Sequence, residues 1–143
     1  MVVALLTGEQ RDQDEIDGML EVVDLVDRRQ AMLITSAILR TEVLEDINDP
    51  TVIERLEAMF RRPSCVMIDT NRAILEKARA LRTAVKASKR SLKTPDAIFV
   101  ATGLLHGADA LHTFDDKLLA LNGRAEVDGL RIVKPHGVQT LLL

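Results

Sequence analysis

Three acids in this chain have the type and placement for metal chemistry: Glu42, Asp96 and Asp115. Asp96 follows Thr94-Pro95, a strong helix start in which a capping residue precedes proline at the first helical position. Asp115 follows Thr113, in the first turn of the predicted next helix. Glu42 falls between Ile38 and Leu39 on a helical projection. That predicts an acid at the edge of an apolar stripe, where partial desolvation is costly without a cation partner. Magnesium and manganese favour oxygen ligands, typically one or two carboxylates with waters retained. Such an ion can orient a water, lower its pKa and stabilise charge developing on a phosphate. Each acid also has a plain structural explanation. An acid in the first turn of a helix gains roughly 0.3–1 kcal/mol from the helix dipole, and Thr113 with Asp116 three residues on resembles a capping box.

The elements that must position these acids follow from hydrophobic spacing. Asp14 to Arg28 carries Ile16, Met19, Leu20, Val23 and Val26 at helical intervals. Ala31 to Ile34 reads as a strand, and Thr35-Ser36 as the cap of a helix running to about Ile47. Asp49-Pro50 opens another helix, which ends near Pro63. Cys65 to Ile68 reads as a strand, Asn71 to Lys86 as a long helix and Ala87 to Lys93 as a loop. The Thr94-Pro95 helix ends near His106-Gly107, where glycine supplies a left-handed cap. A short strand at Ala110 to His112, a helix from Thr113 to Asn122-Gly123 and a last strand at Leu130 to Val133 complete the pattern. Strands alternating with helices predict an α/β domain with a mainly parallel sheet. Such sheets place functional groups at the carboxyl ends of their strands.

The 143 residues suit one domain, residues 1–143. A content of 47% hydrophobic and 29% charged residues argues against disorder. With three Phe and no Trp or Tyr, the core must be aliphatic, and nucleic-acid binding cannot rest on aromatic stacking. Cys65, the single cysteine, lies in an apolar run and reads as a core residue. The apolar stretch Val2 to Leu6 is too short for a membrane span and lacks the basic flank of a signal peptide, so a cytoplasmic protein is expected. The net charge of −3 hides an asymmetry. Residues 1–60 hold fourteen acids and five bases, a net of −9. Residues 72–93 hold eight bases and one acid, a net of +7, which is either a solvated helix surface or a face for a polyanion. His106, His112 and His136 lack zinc-site spacing, and there is no Gly-rich phosphate loop or serine nucleophile elbow.

Leu92-Lys93-Thr94-Pro95-Asp96-Ala97-Ile98-Phe99-Val100-Ala101-Thr102 and Gly107 to Leu118, with its Thr113-Phe114-Asp115 element, resemble the C-terminal half of a PIN domain of the VapC-type toxin ribonucleases. Thr35-Ser36 followed by Glu42-Val43 resembles that family's second strand and helix-borne acid. The resemblance spans about Val2 to Pro135. It implies a three-layer α/β/α fold and a magnesium- or manganese-dependent endoribonuclease with Glu42, Asp96 and Asp115 in its acidic site. Thr113 would orient Asp115 or a water, and Asp116 would be an accessory ligand or a helix cap. The implied partners are RNA, a cognate antitoxin protein and a second copy in a homodimer, and the basic stretch would lead phosphates toward Asp96. The family also begins with a strand ending in an Asp. Here Met1 to Glu9 resembles the segment just after it, which leaves three readings: a start placed too far downstream, a truncated chain, or Val2 to Leu6 filling the first strand without its acid. The first is expected, with an upstream in-frame stop as the contrary finding. The rival reading is a catalytically inactive PIN fold that binds RNA or protein. A flavodoxin-like regulatory domain fits less well, because Asp115-Asp116 lies too late in the chain.

Overall fold

The computed structural model describes residues 12–135. The expectations for Val2 to Leu6 and for His136 lie outside them. Helix α1 (Gln13–Asp27) buries Gly18, Met19, Val22, Leu25 and Val26, while Leu20 faces outward. The predicted stripe was therefore rotated by part of a turn. Strand β1 (Leu33–Ser36) lies two residues later than the apolar run suggests. Its pairing decides this: Leu33 aligns with Cys65 and Ser36 with Ile68 of β2 (Cys65–Ile68), in parallel. Met32 is left exposed. Thr35 and Ser36 are thus buried strand residues rather than caps, and α2 (Ile38–Asp46) starts from Ala37 with no side-chain cap.

Asp49 caps α3 (Pro50–Phe60) as its sequence predicts, accepting from the Thr51 N–H at 2.9 Å. This helix packs over β2 with a small cluster of Ile47, Val52 and Leu56. Asn71 caps α4 (Arg72–Ala87) by accepting from the Ile74 N–H at 3.0 Å. Ile74, Ala78, Leu81 and Val85 recur at helical spacing on its buried face. They meet Ala97, Ile98 and Ala101 of α5 (Thr94–Leu105) in the main core. Small residues let α5 lie close to its neighbours, and a Cβ on Gly103 would stand 3.3 Å from Leu130 Cδ2. Proline occupies the first turn of α5 as predicted, but Lys93, not Thr94, holds the cap position. Gly107 closes α5 at φ +64°, the left-handed conformation expected of it.

Strand β3 (Ala110–His112) pairs in parallel with β4 (Arg131–Val133). Between them lie the single-turn helix α6 (Asp116–Leu119) and a 3₁₀ turn at Ala125–Val127. The predicted helix from Thr113 to Asn122 is therefore mostly turn. Among the described residues the strands form two parallel pairs, β1–β2 and β3–β4, and α5 packs against both β1 and β3. Helices and parallel strands follow the three-layer α/β/α plan. No described helix is long and apolar enough to cross a membrane.

Candidate functional site

Two of the acids lie downstream of strand ends. Helix α2, which carries Glu42, follows β1 directly, and Thr113-Phe114-Asp115 follows β3 directly. Asp96 sits in the first turn of α5, the helix that joins the two halves.

Asp96 is half-buried, and burial raises its carboxyl pKa above the ordinary value. The Asp115 carboxylate raises it further and Glu42 adds to the effect, while Lys93 and Lys117 pull the other way. The fold thus brings all three predicted acids into one electrostatic neighbourhood. Electrostatic reach is longer than a coordination bond. Among the described residues, no group of three Asp, Glu, His or Cys side chains converges closely enough to hold an ion by itself. The acids are therefore coupled by charge, and no three of them converge on one point.

Asp115 is held firmly. Its Oδ1 accepts from the Lys117 N–H at 2.7 Å and the Leu118 N–H at 3.3 Å, which makes it the N-cap of α6. Thr113 Oγ1 accepts from the Asp115 N–H at 3.1 Å. The cap is therefore Asp115 and not Asp116, and Thr113 acts on the backbone of Asp115 instead of capping the helix. Glu42 is exposed, contrary to the half-buried setting its helical projection predicted. Helix α2 offers only Ile38 and Leu39 as partly buried neighbours before it.

One residue was not singled out by sequence, and another was given a different role. Lys117 lies two positions after Asp115, and its charge reaches Asp96. Its signal was a base directly after the Asp115-Asp116 pair. Ser36, 1% exposed at the carboxyl end of β1, keeps an Oγ without a hydrogen-bond partner among the described residues. Cys65 is buried as predicted, and burial pushes its thiol pKa up, away from reactivity. His106 is exposed. His112 is largely buried with its pKa lowered to about 4, first by burial and then by Arg131.

The family model for the PIN domain matches residues 3–123. The chain belongs to the PIN domain family. This match contains Glu42, Asp96 and Asp115, and it stops before β4. Comparison with curated proteins and with solved structures gives no match. PIN domains are generally nucleases, hence hydrolases, and typically use divalent metals. The donors here suit such an ion. They are oxygen-only and negatively charged, the ligand type that a hard divalent ion takes.

Proposed function

We propose that this PIN-domain protein is a magnesium- or manganese-dependent endoribonuclease, and that Glu42, Asp96 and Asp115 form its acidic site. The observation that carries the reading is the half-buried Asp96, pressed by Asp115 and Glu42. Self-repelling carboxylates are disfavoured in isolation and become favourable around a cation. Glu42, Asp96 and Asp115 would hold the ion. A divalent ion bound there supplies charge neutralisation at the scissile phosphate and acidifies an attacking water.

The chain's own groups then have definable work. The amides of Lys117 and Leu118 fix Asp115 Oδ1, so its other oxygen keeps one orientation toward a ligand. Thr113 fixes the backbone beneath it. Lys93 and Lys117 offer positive charge beside Asp96, placed to attract the phosphate. Partial burial of Asp96 thins the water on its side of the site, which strengthens the charge interactions that Asp96 makes.

The expected result is cleavage of single-stranded RNA with magnesium or manganese, loss of cleavage with EDTA, and loss with Asp96→Asn. Cleavage that persists in both would remove the reading. We further place the protein as the toxin of a VapC-type pair, acting on RNA, restrained by a cognate antitoxin protein and working as a homodimer. That assignment rests on the resemblance of the Thr94-to-Thr102 and Gly107-to-Leu118 segments. Growth arrest on induction, relieved by Asp96→Asn, is its test; unimpaired growth with the wild-type chain counts against it.

One observation favours a second reading, an inactive PIN fold that binds RNA or protein. Among the described residues no three metal-ligating side chains converge. Calorimetric titration with manganese separates the two, because the inactive reading predicts no saturable binding.

A further inference from the structure

The cations of residues 72–93 are not spread evenly over the surface. Arg79, Arg82, Lys86 and Arg90 line one cleft of about 600 Å³ between α4 and α5. No acid lines it. Its far wall includes Thr94, in the same helical turn as Asp96. Arg79, Arg82 and Lys86 stand at intervals of three and four residues, so they form one stripe of α4, about 10 Å long. The stripe borders the buried face of Ile74, Ala78, Leu81 and Val85. Arg82 Nε donates to the Leu92 carbonyl at 3.0 Å, which ties α4 to the chain entering α5 and fixes one guanidinium in the cleft wall. The only nearby acid on α4, Glu76, reaches Arg79 at 3.9 Å in an exposed pair that is worth little.

We propose that this cleft is a track for the phosphodiester backbone of single-stranded RNA, delivering it to the acids at the start of α5. The proposal rests on the ribonuclease reading for its direction, since that reading puts the scissile phosphate beside Asp96. Charge decides the class of ligand. A chain of net −3 concentrates four cations in one concave, acid-free cleft, which suits a polyanion. The cleft is about 600 Å³ and lies between two helices, so we take a single strand as its occupant. No Phe lines it, and the chain has no Trp or Tyr, so bases are not held by aromatic stacking. Grip on the backbone therefore sets affinity here, with little reading of sequence.

The test is anisotropy of a short fluorescent oligouridylate bound to the full chain in EDTA, across a range of salt. Binding constants should fall with salt along a slope of about −0.7 per phosphate neutralised. The double variant Arg79→Gln/Lys86→Gln changes two exposed residues outside the core. It should bind at least tenfold more weakly, with a slope shallower by about 1.4, and keep the wild-type melting temperature. Unchanged affinity and slope would overturn the track. So would equal binding of duplex RNA, or displacement of the RNA by polyglutamate at equal charge concentration, which would mark a site for acidic protein. The two readings fail separately. Wild type that binds in this way yet never cleaves with magnesium or manganese keeps the track and loses the nuclease. A double variant that cleaves with unchanged KM keeps the nuclease and loses the track.

Discussion

At the scale of single residues, Asp115 combines two functions that substitution can separate. As the cap of α6 it accepts two backbone N–H groups, and as a carboxylate it contributes charge beside Asp96. Asparagine caps about as well as aspartate, whereas alanine loses roughly 1 kcal/mol at such a position. Asp115→Asn should therefore unfold in urea at or slightly above the wild-type midpoint, since it keeps the cap and relieves the repulsion on Asp96, while metal-dependent cleavage falls by a hundredfold or more. Asp115→Ala should lose both. Equal losses of stability in the two variants would mean the cap is not formed by this side chain. His112 carries a different signature. The folded chain holds it neutral, with a pKa of about 4, whereas an unfolded histidine takes up a proton near 6.5. Its contribution to stability is thus complete above pH 6.5 and is lost as the pH falls to about 4, by at most about 3 kcal/mol. His112→Leu should flatten that part of the stability profile, measured as the difference from wild type between pH 7 and pH 4.5. Sequence placed Asp96 in the first turn of its helix because Thr94-Pro95 marks the start, but it put Asp115 inside a helix that Asp115 in fact caps. It misjudged the setting of Glu42, since a short helix with a weak apolar stripe does not say which side faces the core.

Among the elements, the α4–α5 pair carries the main core. Ile74 is fully buried on α4, and Ala97 and Ala101 are equally buried on α5. Removing most of the Ile74 side chain leaves a cavity between helices that cannot close freely. Ile74→Ala should cost about 2–5 kcal/mol, read as a shift of the urea midpoint without change in the shape of the far-ultraviolet dichroism spectrum of the folded state. A loss under 1 kcal/mol would mean that this contact is not part of the core. The long helices were legible because their apolar residues recur over three or more turns. The short elements were not. A four-residue strand such as β1 is fixed by its partner β2, so its limits depend on a register that no local pattern records. Likewise the Thr113-to-Asn122 segment has the residues of a helix, yet one turn forms. Asn122 is used elsewhere, since its Oδ1 accepts from the Ile132 N–H at 2.8 Å and holds the chain to β4. Such non-local demands override helix propensity.

For the whole molecule, the arrangement of the acids makes the fold itself responsive to a cation. Glu42 follows the first strand of one pair, Asp115 follows the first strand of the other, and Asp96 sits on the helix that packs against β1 and β3. Repulsion among them acts between the two halves of the domain. The raised pKa of Asp96 gives its sign. An acid that is harder to ionise folded than unfolded contributes most stability when protonated, and that contribution is lost as pH rises past the ordinary value toward the raised one. At pH 7 without metal, the ionised Asp96 is therefore a net cost, and Asp96→Asn should melt at a higher temperature than wild type. Divalent cation should reverse the order. Binding only to the folded state stabilises by RT ln(1 + [L]/Kd), about 1.4 kcal/mol at tenfold excess over Kd. In a chain of this size that is a rise of about 3–6 °C for wild type. Asp96→Asn, lacking the central carboxylate, should gain little from the ion. Melting curves of both proteins at pH 7, with EDTA and then with manganese, give four numbers whose pattern is fixed in advance. If the variant is the less stable in EDTA, burial and repulsion at Asp96 are weaker than the geometry implies. If manganese raises both proteins equally, the ion is held elsewhere, and the acids at the carboxyl ends of the strands are not its site.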